Sequence, residues 1–423
     1  MTKIKPFKAV IYNQGKIKNL SQVVCPPYDV LSPAQQKYYH ELNPHNFLNI
    51  LLPKDTPDKY ERAGQYFQNW QKEQILINDK SPAVYFYSQQ YNLKGEKKTR
   101  FGFMALLRLG DRKSGVFGHE NTRLAAKEDR AKLLRQVKAN LSPIFVIFPD
   151  RKRIISRIRE KYINSGNLFM EATDNEKTVH QVWRIDSENI ISMIQESMLQ
   201  ENMFIADGHH RYEVACAYRD EMEEKLGVVS GEESFNYILA YFTNIDTRGL
   251  TILPIHRLVK LKAKLDGQKF RSELSGNFDV EEIKDKTKFF FLMNKAGEAE
   301  HIIGMYANKR YWMLRLKNIK ILDKIIVDKP KEYRLLDVSI LNYMILKQIL
   351  GLDLDDKESI IFNHNADELI EQVDQDSGYV AFFLNSTKVS QIMAIALNGE
   401  KMPPKTTFFY PKVRSGLVVN KLE

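Results

Sequence analysis

Residues 203–218 read Met-Phe-Ile-Ala-Asp-Gly-His-His-Arg-Tyr-Glu-Val-Ala-Cys-Ala-Tyr, and no other stretch constrains the fold as strongly. Four apolar, strand-like residues run into Asp207-Gly208, and an amphipathic helical pattern begins at once. A strand that turns through Asp-Gly directly into a helix points backbone N–H groups at whatever sits above the turn. The helix dipole adds positive potential there, a combination that suits a phosphate or another anion. Gly208 permits the tight turn and close approach of a ligand, and Arg211 can fork onto two phosphate oxygens. Asp207 is a carboxylate placed to accept a proton or hold a divalent ion. Asp207 could instead cap the helix, with His210 and Arg211 solvated on its first turn. Helix starts favour acidic side chains, however, so His209, His210 and Arg211 packed into one turn call for an anionic partner.

The chain has 423 residues, enough for two domains or one elaborate one, and its 43% hydrophobic and 27% charged content is ordinary for a globular protein. No apolar run is long enough to span a bilayer, and the first residues lack an apolar signal core, so a soluble, cytoplasmic protein without a membrane partner is expected. Cys25 and Cys216, far apart in sequence, give no disulfide framework. A net charge of +10 raises the question of nucleic acid. The basic residues are dispersed, and a small anionic ligand accounts for the charge equally well.

Strand and helix patterns interleave throughout, which makes the class mixed α/β or α+β. Residues 83–93 and 99–109 read as a hairpin joined by the polar turn 94–97. Helical periodicity runs over 57–73, 126–139, 151–163, 187–200 and 209–226, with strands at 141–148, 179–185 and 234–243. Beyond residue 260 helices are expected at 264–275, 336–350 and 366–374. Strands are expected there at 302–306, 311–316, 359–362 and 379–384. The proline-braced tail from Met402 to Lys412 is expected to pack back on the body and carry Lys405 or Lys412 to a site.

A second constellation is His119-Glu120-Asn121-Thr122, preceded by Gly115 and Gly118 and followed by a helix. A His-Glu pair can supply a general base, a metal ligand or both, and Thr122 could alternatively start the helix as a cap. Asp129 and Arg130, adjacent on that helix, are expected to point to different sides. Pro26-Pro27 fixes an extended backbone that could aim Tyr28 and Asp29 at a site, and His256-Arg257 offers a further anion contact. His119, His209 and His210 match no compact zinc spacing, whereas magnesium needs only Asp207 and Glu120. The common P-loop and dinucleotide fingerprints are absent, as are serine-hydrolase and papain-type signatures.

Several of these stretches occur together in a known order. Pro26-Pro27-Tyr28-Asp29-Val30, His119-Glu120-Asn121-Thr122, Asp129-Arg130 and Asn140-Leu141-Ser142-Pro143-Ile144-Phe145 come first. Ala206-Asp207-Gly208-His209-His210-Arg211, Leu253-Pro254-Ile255-His256-Arg257 and the 402–412 tail follow. With them the chain resembles, over nearly its whole length, a bacterial and archaeal family catalogued as domain of unknown function 1015. The Asp207–Arg211 turn is also similar to the nucleotide-phosphate loop of the ParB/sulfiredoxin superfamily, which includes CTP-binding partition proteins, sulfiredoxin and kinases of free L-serine. The aspartate before the glycine resembles the serine kinases. Sulfiredoxin carries a cysteine within this loop, where His209 and His210 stand here.

The resemblance implies a ParB/sulfiredoxin-like core over 1–260 and an additional α/β region over 261–423. It implies a small-molecule phosphotransferase, foremost a free L-serine kinase using ATP, ADP or pyrophosphate with Mg2+. On that reading Asp207, Glu120 and His119 are catalytic, and Asp207 and Glu120 hold the metal. Gly208, His209, His210, Arg211, Thr122, Lys405 and Lys412 bind phosphate, and Tyr28, Asp29, His256 and Arg257 bind substrate. Two alternatives remain at this stage: a ParB-like nucleotide- or DNA-binding protein, and a phosphoserine phosphatase. The DNA-binding one requires a helix-turn-helix or a concentrated basic face, and the sequence displays neither. Oligomeric state is not legible.

Overall fold

The alternating apolar residues of 84–108 fold into the expected hairpin, Val84–Leu93 pairing antiparallel with Glu96–Arg108. Its turn is tighter than the four residues expected. Lys94 (φ 51°) and Gly95 (φ 82°) both adopt left-handed backbone, the combination a two-residue turn needs to match the twist of its strands. The computed structural model describes residues 2–110, 114–163, 168–227, 230–261, 267–354 and 359–422. Its contacts divide the chain into two units. The first comprises Met1–Gly118, Thr122–Thr251 and Pro411–Glu423, and the second His119–Asn121 and Ile252–Tyr410.

In the first unit, nine strands among the described residues form one mixed sheet. Eight follow the order Val116–Gly118, Met203–Asp207, Ile144–Phe148, Tyr237–Asn244, Glu96–Arg108, Val84–Leu93, Val179–Ile185, Met170–Thr173. The ninth, Ile4–Lys5, pairs with Glu96–Arg108. Met203–Asp207 runs parallel to Val116–Gly118 and antiparallel to Ile144–Phe148. The main core lies where Phe86, Phe103, Val146 and Phe242 of the sheet meet Ile155, Ile158, Ile190 and Ile194. Those isoleucines come from helices Ile154–Ile158 and Glu188–Met198. Ile190, Ile191, Ile194 and Met198 recur at helical spacing, and each such buried side chain contributes about 1.5–3 kcal/mol. The helix expected over 151–163 is α-helical only to Ile158 and continues as a π-helical turn, Arg159–Ile163. Helices Leu124–Val137 and His209–Leu226 pack through Leu134 and Val214, with Leu422 of the tail in the same cluster.

The second unit is built on a six-stranded antiparallel sheet in the order Phe278–Ile283, Arg310–Leu316, Ile302–Ala307, Tyr379–Phe383, His256–Lys260, Ile360–Asn363. Helices Lys286–Ala296 and Ala366–Gln375 supply Phe289, Met293, Leu369, Ile370 and Val373 to its core. The Asn365 side chain accepts from the Asp367 N–H, and acidic residues fill the first turn, which is why Ala366–Gln375 starts where it does. The helix expected over 264–275 is seen as Gly267–Asn277, and residues 264–266 lie outside the described residues. Two helices carry too weak an apolar stripe to be recognised in sequence, Pro33–Leu42 and Lys286–Ala296. The first is nonetheless announced by a capping box between Ser32 and Gln35, with proline in its first turn. The class is mixed α+β, as the interleaved patterns imply. No helix of the described residues is long and apolar enough to cross a membrane.

Candidate phosphate site

A register shift in the pairing with Ile144–Phe148, between Ile205 and Asp207, places Asp207 at the end of its strand. Gly208 follows at φ 90°, ψ 28° as the N-cap of the 18-residue helix His209–Leu226, and no side chain caps this helix end. No acidic residue occupies the first turn either, so the positive end of the dipole is not neutralised from within the helix. A Cβ at Gly208 would lie 3.0 Å from the Arg211 guanidinium, which folds back under the turn. Gly208→Ala therefore meets both left-handed strain and a clash. Its expected cost is about 1–3 kcal/mol, read as a lowered thermal midpoint of the first unit. An unchanged midpoint would mean that the turn adapts.

Two cations converge on Asp207. Arg211 donates from Nη2 to Oδ2 at 2.8 Å, and the Lys412 ammonium donates to Oδ1. Arg211 also donates from Nη1 to the Pro143 carbonyl, and its buried Nε has no hydrogen-bond partner. All three side chains are largely shielded, Arg211 at 13%, Lys412 at 14% and Asp207 at 16% exposure. Burial pushes the Asp207 carboxyl up, but Lys412 and Arg211 outweigh it and hold the group down to about 2.

The neighbouring polar groups are anchored to the same helix. Thr122 donates to Glu213, which also pairs with Lys127 at 3.2 Å. His210 Nε2 accepts from the Arg123 N–H at 2.9 Å, and His209 is buried. Thr122 is thus not the cap of helix Leu124–Val137; Arg123 is, and it makes no side-chain capping bond. Beside the turn lies a cavity of about 60 Å³ lined by Tyr28, Arg130, Asn140, Ser142, Arg211 and Val214 among others. The Arg130 guanidinium stacks 4.2 Å from the Tyr28 ring centroid. Burial first, then Asp29, pushes the Tyr28 hydroxyl up to about 12 against Arg211 and Arg130. Asp29 itself is exposed on the short turn Tyr28–Val30. Of the adjacent pair, Arg130 lines the cavity and Asp129 does not; the long Arg130 side chain also donates from Nε to Asp129 at 2.8 Å and from Nη1 to the Leu51 carbonyl at 2.7 Å.

Lys412 is held by its own segment of chain. The Pro411 carbonyl accepts from the buried Arg100 guanidinium, and the Lys412 carbonyl accepts from Gln89 Nε2 at 2.9 Å. Two residues on, Arg414 binds Asp174, whose Oδ2 also accepts from His180 Nε2 at 3.0 Å. His180 Nδ1 contacts the Tyr87 hydroxyl at 2.7 Å. An ionised Asp174 can only accept, so the neutral ring donates from Nε2 and accepts from Tyr87 at Nδ1. Ser415 exchanges backbone hydrogen bonds with Cys25.

Burial lowers His180 to about 4, with the Arg414 and Arg100 charges adding to it against the Asp174 hydrogen bond. Burial opposes ionisation of Asp174, yet His180 and Arg414 hold it well below the usual carboxylate range. Both folded values lie below the unfolded ones. The His180 stabilisation is therefore complete above about pH 6.5 and is lost as pH falls to about 4, whereas that of Asp174 persists at about pH 4 and is lost only in stronger acid. Asp150, raised to about 6 by burial, acts in the opposite sense over an overlapping range. The expected readout is a difference: between pH 7 and pH 4 the wild type loses more unfolding free energy than His180→Gln. Equal losses would contradict the assignment of a neutral, buried histidine.

The remaining residues expected at the site belong to the second unit. His119 is buried, with Nε2 3.4 Å from Thr407 Oγ1, and the flanking Glu120 bridges to Met402. Lys405 is exposed at φ 56°, and its carbonyl accepts from Arg257 at 3.0 Å. Arg257 is fully buried, and burial alone lowers it to about 9. His256 accepts from the Leu384 N–H at 3.2 Å and packs edge-on against Phe383 within the core. Among the described residues no three His, Cys, Asp or Glu side chains gather as a metal would require. Each Asp207 oxygen already accepts from a cation, so the donor set expected for magnesium does not fit the residues present. Sequence reasoning assigned no site role to Arg130, Glu213, Arg414, Asp174 or the Pro143 carbonyl, although Arg130, Glu213 and Pro143 lie in stretches that the motifs had marked.

No curated protein matches the chain. Among solved structures, a free serine kinase in complex with ADP matches at TM-score 0.34 and 11% identity, covering 70% of this chain and 84% of that one. SbnI with a C-terminal truncation, from Staphylococcus aureus, matches at 0.37 and 11%, covering 75% and 87%. A conserved hypothetical protein from Pyrococcus furiosus matches at 0.33 and 12%, covering 72% and 92%. These are distant likenesses, and the chemistry of the site rests on its own geometry. A family model, by contrast, matches residues 4–339, and the chain belongs to the family described as protein of unknown function (DUF1015).

Proposed function

We propose that this protein is a small-molecule phosphotransferase, a kinase of free L-serine that makes O-phospho-L-serine from ATP, ADP or pyrophosphate. The observation that carries the reading is the convergence of Arg211 and Lys412 on Asp207 at a helix start that no side chain caps. Phosphoryl transfer passes through a loose transition state, so a protein contributes chiefly position and charge. The turn Gly208–Arg211 receives the donor phosphate, with its backbone and the helix dipole facing the oxygens. Arg211, fixed by the Pro143 carbonyl, and Lys412 neutralise charge as it moves to the leaving group.

Asp207 at a pKa of about 2 is a poor proton acceptor while both cations hold it. A bound phosphate competes for those cations. As Lys412 turns from the carboxylate to the phosphate, the largest charge depressing Asp207 is withdrawn and its basicity rises. Asp207 then accepts the proton of the serine hydroxyl as the oxygen attacks phosphorus. No step passes through a metal. His119, Glu120, Lys405, His256 and Arg257, in the second unit, take no step in this scheme.

The test is phosphorus NMR of the protein with L-serine and each donor. Appearance of O-phospho-L-serine is expected with at least one of them. Absence of transfer to serine with all three donors overturns the kinase. Release of inorganic phosphate from phosphoserine, without transfer in the other direction, would replace it with a phosphatase.

A further inference from the structure

Lys412 has a long, flexible side chain whose ordering costs rotamer freedom, and an ammonium that wanders is a weak ligand for phosphate. The segment carrying it is secured on both sides by buried polar groups rather than by apolar packing alone. Before it stands the Arg100–Pro411 contact, at the residue itself the Gln89–Lys412 contact, and after it the Arg414–Asp174 pair. Arg414 and Asp174 are 5% and 4% exposed, and His180 is fully buried. Burying ions to this extent is a poor way to gain stability, since well-packed apolar residues do as well or better. It does fix geometry.

We propose that Arg414 is a positioning residue of the phosphate site. Held by Asp174 and His180, it locks the strap Pro411–Ser415 so that the Lys412 ammonium stays over the Asp207–Gly208 turn. The inference rests on the reading of that turn as a phosphate site. A strap of merely structural value would lower stability when loosened and leave anion affinity alone. A positioning strap must act through Lys412.

A double-mutant cycle separates the two, with inorganic pyrophosphate as the probe and calorimetry on the full chain well below its melting temperature. Lys412→Ala is expected to weaken pyrophosphate binding about thirtyfold and Arg414→Lys about tenfold. The double variant is expected to bind no more weakly than Lys412→Ala alone, because the strap has nothing left to position. If the two losses multiply, or if Arg414→Lys binds as wild type, the positioning role is wrong. If Lys412→Ala itself leaves affinity unchanged, the phosphate reading fails and the inference with it. Should Arg414→Lys not fold, Tyr87→Phe removes the hydroxyl that contacts both His180 and the Arg414 backbone N–H, and must show the same loss of effect in the Lys412→Ala background.

Discussion

Asp207→Asn is expected to turn over roughly 10²–10⁴-fold more slowly than wild type while binding pyrophosphate at least as tightly. The carboxamide keeps the shape of the side chain and one acceptor oxygen. What it removes is the negative charge that Arg211 and Lys412 share. Both cations then face an incoming anion with less of their charge neutralised, so affinity rises severalfold at low salt and the gain shrinks as salt is added. Turnover falls because nothing accepts the hydroxyl proton. Loss of affinity together with rate would instead mark Asp207 as a structural partner of the two cations, and unchanged turnover would remove it from the mechanism. Glu120→Gln is the useful contrast, since Glu120 belongs to the second unit and takes no step.

The largest effect on stability is expected from Asp174→Ala. Asp174 and Arg414 are nearly inaccessible, and His180 donates to the same carboxylate oxygen. Removing the acid strands a buried guanidinium without its counter-charge, which costs about 3–5 kcal/mol in comparable sites. For a unit of this size that lowers the melting midpoint by about 10 °C. Trp70 and Trp183 report on the first unit and Trp312 on the second. Fluorescence of single-tryptophan variants should therefore show the loss in the first unit and leave the second unaltered. A drop below about 1 kcal/mol would mean that Arg414 finds another partner or water when Asp174 is gone. Replacing Asp174 and Arg414 together by apolar residues of similar volume should restore part of the loss, since the cost lies in the unpaired ion.

Legibility in the sequence tracked how local each feature is. The strand and helix at 203–226 could be read because apolar run, Asp-Gly turn and helical period are contiguous, and both elements form where the pattern places them. The hairpin was legible for the same reason, apart from a turn two residues tighter than its polar composition suggested. Asn365 and the acidic residues after it mark a helix start in the same direct way. Pro33–Leu42 was hidden because its residues are mostly polar, although its Ser32 box was present to be read.

At the site, Asp207, Gly208, Arg211 and Lys412 are candidates that chemistry alone could nominate. Their pairing was not legible, since Lys412 meets Asp207 across 205 positions of chain. The Pro143 carbonyl that orients Arg211 belongs to the backbone, which no residue type announces. The Asp174–His180–Arg414 cluster left no motif, because Asp174 and His180 stand six residues apart on one hairpin and Arg414 joins them across 240 positions of chain. His119, Glu120, Lys405 and Arg257 were singled out from their local stretches, and they fall in the second unit. The magnesium expectation rested on counting carboxylates in sequence, which does not reveal that the Asp207 oxygens are engaged by cations.

The central claim is that the turn Gly208–Arg211 receives a phosphate. Transverse-relaxation-optimised 15N–1H spectra recorded during a titration with inorganic pyrophosphate test it most directly. The account predicts saturable shifts of the His209, His210 and Arg211 backbone amides, with a midpoint that moves to higher concentration in Lys412→Ala. Saturable shifts confined to other parts of the chain, or no shifts at these three amides, would contradict it.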